Sequence, residues 1–384
     1  MRWMKLSVLF AGLLLTAEVY GASFEHNDII SLVSSLKTIG PLELCGEAVP
    51  LEIQEVRERL EKELLLSLWY RPQVILWLKR SQRYLPTIEV MLKKSMIPDD
   101  LKYVAIAESA LRPHVSSSKG AMGFWQFMAD TGRNYELNIN GRIDERRNLF
   151  ASTQAAISHF KDLYNAFGSW TLAIAGYNMG QEWLIAEIME QETNDYYHLY
   201  LPLETQRFIF RILSIKLIFS DPEKFGFKLT DDDYYPPPAF DRIKVDCPQE
   251  IPIRIVAQAV NTNFKVIKNL NPEIRGHFLA EGNHDILVPK GAGLNFQARY
   301  KRIVKKYLKD QKKIIYIVKK GDNLTTIAKH FGIPIKSLII WNYLNSNSPI
   351  HPGDKFVIYR ENIKFNKANT FRKDDTSQTE FSGE

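Results

Sequence analysis

Val104–Gln126 reads VAIAESALRPHVSSSKGAMGFWQ, and the rest of the chain is organised around it. An apolar helical run carries one acid, Glu108. A serine-rich loop follows, then Gly120-Ala121-Met122-Gly123 and Phe124-Trp125-Gln126. The next acid is Asp130, so Glu108 has no carboxylate beside it in this stretch. If the surrounding residues pack around it, desolvation disfavours its ionised form and makes it a proton donor near neutral pH. The alternative is a surface glutamate on an ordinary helix.

The flanking sequence bears on that choice. Ile97-Pro98-Asp99-Asp100 is a helix start, with proline in the first turn and acids that complement the helix dipole. The helix is expected from Leu101 to about Leu111, where Arg112-Pro113 stops it. Leu101, Val104 and Ala105 share the helical face of Glu108, so that face is read as buried. A further helix is expected to begin at Phe124–Met128. Leu149–Phe167 is amphipathic, with Ala155, Ala156 and Ile157 allowing close packing, and Gln206–Phe219 is another apolar helix. Trp170–Tyr177 is a run of small and apolar residues broken by Asn178-Met179-Gly180. Upstream, Asn27–Lys94 reads as helical, with an amphipathic pattern that continues to Tyr84-Leu85-Pro86 and no evident chemistry. With few strand signals before Phe225, this half of the chain is mainly α.

Pro236-Pro237-Pro238 marks a boundary. Beyond it, Ile253–Pro289 resembles Asn323–Ile358. Each has a helix (Ile255-Val256-Ala257; Ile327-Ala328), an aromatic residue and second helix (Phe264 to Leu270; Phe331 to Trp341), then Asn271 or Asn342. Each then has a glycine, Gly282 or Gly353, and a closing apolar strand (Ile286-Leu287-Val288; Phe356-Val357-Ile358). One repeat at a spacing of roughly 70 residues implies duplicated βααβ modules rather than a solenoid. Arg299–Lys313 between them is strongly basic, either a solvated linker helix or a patch drawn to an anionic polymer.

The 384 residues are 45% apolar and 24% charged, as in a soluble globular protein of two or three domains. A net charge of +6 suits an anionic wall or membrane surface but also simple solubility, and no nucleic-acid motif accompanies it. Arg2 and Lys5 precede the apolar run Leu6–Ala17, and Val19-Tyr20-Gly21 offers a cleavage site. This reads as a secretory signal peptide over 1–21, with an uncleaved anchor as the alternative. Cys45 and Cys247 either pair or are two buried thiols. No cysteine or histidine spacing suggests a metal or a cofactor, and Asp231-Asp232-Asp233 lacks the pattern of a calcium loop and reads as a solvated linker.

Taken together, Glu108-Ser109, Ser117, Gly120–Gln126 and Ala175-Gly176-Tyr177-Asn178-Met179-Gly180 resemble the motifs of lytic transglycosylases with the goose-lysozyme-like (SLT) fold. Tyr316–Leu324, with Ile327-Ala328 and Pro352-Gly353, resembles a LysM module; the earlier copy is weaker and lacks a clear Gly-Asp loop. The resemblance implies a lysozyme-like, mainly α catalytic domain over 96–230 after a helical region at 22–95. It further implies a divergent LysM-like module over 236–290 and a LysM domain over 314–359, while charge and composition give a basic linker over 291–313 and a polar, disordered tail over 360–384.

By the same resemblance, the substrate is the peptidoglycan glycan strand, cleaved at the β-1,4 bond between N-acetylmuramic acid and N-acetylglucosamine. Glu108 would protonate the glycosidic oxygen and then take the proton of the muramoyl C6 hydroxyl, which closes onto C1 as a 1,6-anhydro end. An internal nucleophile explains why one carboxylate can suffice, although a second could come from a distant segment. Ser117 would bond near the substrate or cap its turn. Gln126 would contact sugar or orient the loop. Tyr177 and Asn178 would line the cleft, or else fill the core and cap a helix. Trp125 is read as core. Gly321, Asp322, Asn323, Leu324 and Thr325, with Ile350 in the second loop Ser348–His351, would offer N-acetyl sugars a binding edge, or serve only the turns.

Two positions depart from the family pattern. Phe208 stands where a tyrosine is usual, and Gly176 where alanine is usual. The N-terminal segment and the resemblance together imply an exported, periplasmic protein, compatible with cell-wall or outer-membrane association and needing no cofactor, with protein partners unknown. The rival readings are a lysozyme-like muramidase and a non-catalytic peptidoglycan-binding scaffold.

Overall fold

A computed structural model of the chain describes residues 32–37, 40–310, 312–345 and 348–360. The expected signal peptide and the tail beyond Arg360 lie outside the described residues. In chain order the helical half comprises α1 (Leu32–Lys37), two-residue strands β1 (Glu43–Leu44) and β2 (Glu47–Ala48), α2 (Gln54–Trp69), α3 (Arg71–Lys94), α4 (Lys102–Ser109), α5 (Ala129–Asn134), α6 (Leu149–Phe167), α7 (Trp170–Met179), α8 (Gln181–Gln191) and α9 (Leu203–Ser220). There follow β3 (Phe240–Cys247), β4 (Ile251–Pro252), α10 (Ile253–Ala259), α11 (Phe264–Leu270), β5 (Phe278–Leu279), β6 (Gly282–Pro289) and α12 (Phe296–Asp310). The chain closes with β7 (Lys312–Ile317), α13 (Leu324–Phe331), α14 (Ile335–Trp341) and β8 (Lys355–Arg360). A mainly α region therefore precedes small α+β modules, as expected. Two compact units result: residues up to Leu111 with His159–Tyr235, and Arg112–Ser158 with the chain from Pro236.

In the first unit α9 is the central helix. Phe208, Ile209, Phe210, Ile212, Leu213, Ile215 and Ile218 are all buried, so it is apolar nearly all round, and α2, α4 and α7 each pack against it. Helix α3 continues through Pro86 to Lys94, where the helical reading of the sequence also ends. The region read as helical from Asn27 is also broken, by the hairpin β1–β2. At its turn Cys45 takes a left-handed φ of 55° beside Gly46 at 82°.

The second unit holds two modules of one design. In the first, β3 pairs antiparallel with β6, from Phe240↔Pro289 to Cys247↔Gly282, and α10 and α11 lie between them in sequence. In the second, β7 pairs with β8 around α13 and α14. Both are closed by the same side chain. Asn271 donates from Nδ2 to the Ile267 and Leu287 carbonyls and accepts the Leu287 N–H. Asn342 does the same with Leu338 and Val357. A buried amide that meets a helix end and a strand together satisfies backbone groups that would otherwise be costly to bury. The duplication read from the sequence thus extends to a repeated polar lock.

One expectation is corrected here. The basic stretch after residue 290 is not a free linker: α12 places Phe296, Tyr300 and Val304 in the core of the first module, and only its opposite face is exposed. Its period of apolar residues, masked by the lysines between them, is that of a docked amphipathic helix. The thiols of Cys45 and Cys247 are free. Among the described residues no helix is long and apolar enough to cross a membrane, and no cluster of ligating side chains could hold a metal.

Candidate active site

Helix α4 carries Glu108 in its last turn and ends one residue later, at Ser109. It stops before the expected Leu111 because Ala110 and Leu111 both take left-handed conformations, at φ 52° and 56°. Such conformations cost roughly 1–2 kcal/mol each in residues with a Cβ. Burial of Leu111 and a bond from Arg80 Nη1 to the Ala110 carbonyl (3.2 Å) hold them in place. The strained turn sets the end of α4 immediately after the acid, which is where strain is commonly retained for function.

Glu108 is half-buried on a face whose neighbours Val104, Ala105 and Leu101 have no exposure. Burial pushes its carboxyl up to about 8; the positive charge of Arg211 opposes this, and the negative charge of Glu204 adds to it. Both lie on α9. Glu204 is the second carboxylate that the sequence around Glu108 lacks, and it is exposed. Arg211 is itself shared, with its Nε 4.0 Å from the carboxylate of Glu63 on α2, which also receives Arg207. Glu63 is only 4% exposed, an acid on the buried stripe between Leu60 and Leu64. That break in an apolar stripe is the feature of the sequence that marks Glu63. Since Arg211 favours the ionised form of Glu108, Arg211→Met should raise the pH at which activity is lost, as read from the alkaline limb of a pH–rate profile.

The same unit contributes Tyr177 and Asn178. Helix α7 is capped at its start by Ser169, whose Oγ accepts the Leu172 N–H. It is anchored further by Glu47 of the hairpin, whose carboxylate accepts from Ser169 Oγ (2.9 Å), the Trp170 and Thr171 amides, and Thr171 Oγ1 (2.7 Å). A carboxylate at a helix start satisfies amides that lack helical partners. Near the other end, the Tyr177 ring stacks on Phe160 (centroids 4.5 Å apart, 13° between planes) with His159 on its flank. Asn178 Oδ1 accepts from Thr205 Oγ1 of α9 at 2.9 Å. Helices α4 and α7 are therefore both referenced to α9, and through it Glu108, Tyr177 and Asn178 share one support. Gly176 is explained by packing: a Cβ there would lie 2.9 Å from the Phe167 ring and 3.3 Å from Leu163, so glycine lets α6 approach. Phe208, in the place of the usual tyrosine, is core at 2% exposure. Tyr196 supplies a buried hydroxyl at the start of α9, donating to the Thr205 and Gln206 carbonyls.

Ser117 and Gln126 lie in the second unit, on a tight loop rather than a helix. Helix formation at Phe124–Met128, expected from the sequence, is prevented by Gly123 at φ 84° and Gln126 at φ 48°. The loop instead closes on itself through bridges Ser116↔Met122 and Met122↔Phe127. Ser117 is exposed, and its Oγ accepts the Ala121 N–H. The Gln126 amide donates to the Val115 and Gly123 carbonyls. Both side chains therefore shape the loop. Phe124 and Trp125 are core, and the Trp125 indole N–H is satisfied by Thr153. Beneath the loop, Arg146 donates to the Gly120 and Phe127 carbonyls and forms a two-pronged pair with Asp144, all at 2.9–3.0 Å. Arg146 is 7% exposed and was not anticipated from the sequence.

In the second module, Asp322 closes its turn by accepting from Tyr316 Oη and the Lys319 amide. Asn323 caps α13 reciprocally with Thr326. Leu324 and Ile350 pack against the module core, while Gly321 and Thr325 are exposed. Asp322 and Asn323 thus hold the turn, and Gly321 and Thr325 of the same loop lie at the surface.

With this geometry in place, comparison with known proteins is specific. Residues 86–199 match the transglycosylase SLT domain, 316–358 the LysM domain, and 239–305 the LysM-like domain of lytic transglycosylase MltD. Over 321 residues the chain is 29% identical to membrane-bound lytic murein transglycosylase D of Escherichia coli strain K12, covering 80% of this chain and 69% of that protein. Among solved structures, the 70 kDa soluble lytic transglycosylase of Escherichia coli aligns at 15% identity over 46% of this chain and 33% of its own, with a TM-score of 0.31. Lytic transglycosylase Slt of Pseudomonas aeruginosa aligns at 16% identity over 48% and 36%, with a TM-score of 0.32. The chain thus spans about a third of the length of those two structures.

Proposed function

We infer that this chain, which resembles membrane-bound lytic murein transglycosylase D and joins an SLT domain to LysM-type modules, is a peptidoglycan lytic transglycosylase with Glu108 as its acid and base. The observation that carries the residue assignment is a half-buried carboxyl, raised to about 8, at the last turn of a helix inside the SLT match. Such a group is protonated at neutral pH yet close enough to its transition to give and retake a proton.

The step balances on one carboxyl. Glu108 donates its proton to the glycosidic oxygen as the bond from that oxygen to C1 of N-acetylmuramic acid breaks. The resulting carboxylate then takes the proton of the C6 hydroxyl, whose oxygen bonds to C1. A 1,6-anhydro end forms, no water is consumed, and the carboxyl is restored. Tyr177 and Asn178, fixed through Phe160 and Thr205, would form the wall beside the acid, and Ser117 and Gln126 would shape the loop that receives the sugar. The LysM modules bind glycan and raise the local concentration of enzyme on its polymer. The exposed Gly321 and Thr325 and the Ser348–His351 loop are the proposed edge for that contact. The N-terminal Arg2, Lys5 and Leu6–Ala17 pattern supports export to the periplasm, where that polymer lies.

Mass spectrometry of muropeptides released by the purified protein tests the reaction class. Anhydro ends lighter by one water than reducing ends are expected. Reducing ends would mean hydrolysis, and no release would mean a binding scaffold.

A further inference from the structure

The loop carrying Ser117 and Gln126 is supported from the first module. Asn140 closes a turn by accepting the Arg142 and Ile143 amides on its side chain, and this presents residues 142–144 as an edge. The edge pairs antiparallel with residues 273–275: Ile143 stands opposite Ile274, the Asp144 N–H donates to the Glu273 carbonyl (2.9 Å), and the Arg275 N–H donates to the Arg142 carbonyl (2.8 Å). Ile274 is 2% exposed in the module core, with Ile143 packed against that core. On the other side of this edge, Asp144 pairs with Arg146, whose guanidinium holds the Gly120 and Phe127 carbonyls. A continuous path of hydrogen bonds therefore runs from module backbone to loop backbone. The bonds of Arg146 to Asp144 and to the Gly120 and Phe127 carbonyls are buried or partly buried, where loss of one partner is costly.

The geometry points to a positioning role: we propose that the 239–305 module is a strut for the Ser117–Gln126 loop, so that turnover, and not glycan retention alone, depends on the pairing of 273–275 with 142–144. This rests on the reading of the chain as a lytic transglycosylase. Glycan tethering would ask only that the module be attached to the chain. It would not ask that a module segment, 273–275, pair its backbone with the segment that buttresses the loop. Nor would it bury Asp144 at 2% exposure between the two.

The decisive variant is Arg275→Pro in the full chain, which removes the donor to Arg142 and cannot continue the pairing. Relative to wild type, turnover on purified glycan strands is expected to fall about tenfold or more, in line with the cost of small misplacements. Co-sedimentation with glycan should persist, and hydrogen exchange at Gly120–Phe127 should quicken. Rescue guards against a merely misfolded module. Ile143 and Ile274 are a non-hydrogen-bonded antiparallel pair, whose short separation suits a disulfide. Ile143→Cys with Ile274→Cys in the Arg275→Pro background should regain turnover when oxidised and lose it again with reductant. Unchanged turnover in Arg275→Pro, with exchange showing the pairing broken, would overturn the strut. So would loss of glycan binding with turnover intact, or failure of the cross-link to rescue. Inactivity of the wild type itself would instead remove the functional reading beneath it.

Discussion

Glu108→Gln should release no measurable muropeptide, a loss on the order of 10³-fold or more, since it removes both proton transfers while keeping the side chain's size. The same variant carries a stability signature that an ordinary surface glutamate would not. The folded carboxyl sits near 8 and its unfolded reference is 4.5, so the folded state holds the proton more tightly. Stability therefore falls as pH rises from 4.5 through about 8, because ionising the buried group opposes folding. Glutamine has no proton to lose. At pH 8.5 Glu108→Gln should be more stable than wild type by on the order of 4–5 kcal/mol, and below pH 4 the two should match. Paired urea melts at the two pH values measure this. Equal stabilities at both would mean that Glu108 titrates normally, and the acid assignment would lose its physical basis. Wild-type activity should likewise decline as pH rises through about 8, when the donor proton is lost.

Gly123→Ala is expected to be nearly as damaging without touching any reacting group. A Cβ built at residue 123 would lie 1.8 Å from the Arg146 carbonyl oxygen and 2.5 Å from its carbon, and both are backbone atoms with nowhere simple to go. The φ of 84° adds the left-handed penalty of roughly 1 kcal/mol or more. The substitution must therefore displace the loop from Arg146 or displace Arg146 from Asp144, at a combined cost of about 3 kcal/mol or more. Thermal melts should show the loss, and turnover should fall with it. Gly120→Ala is the contrast: it shares a positive φ but meets nothing within 4 Å, so only the backbone penalty applies.

The contrast between these glycines shows what the sequence could and could not convey. Helices with an unbroken apolar face, such as α6 and α9, were legible because the period of their buried residues is local. The burial of Glu108 was legible for the same reason, from Leu101, Val104 and Ala105 one and two turns behind it. The duplicated modules were legible because Asn271 and Asn342 fall at matching places. What escaped was set by distant partners. Phe124–Met128 has a helical composition, yet the left-handed Gln126 is stabilised by its own amide reaching Val115. The lysines of α12 looked solvated because the residues that receive Phe296 and Tyr300 lie on β3 and α10, far back in the chain. Glu63, Glu47 and Arg146 are functionally interesting only through partners that no local window contains.

The hairpin β1–β2 has a consequence in time as well as in space. Cys45 N–H binds Asp100, 55 residues later; Glu47 binds Ser169, 122 residues later; Glu43 accepts from Lys216, 173 residues later. Synthesis runs in that order, so the hairpin's partners arrive in three waves, and loop-closure entropy must be met before each contact repays it. Along the chain, the segment beside the acid comes first among these partners, the Tyr177-Asn178 helix second, and the central helix that both lean on last. A chain interrupted before Lys216 carries Glu108 but lacks the frame that aligns it. Length of chain, rather than the presence of the acid, therefore decides when the support of α4 and α7 on α9 can exist.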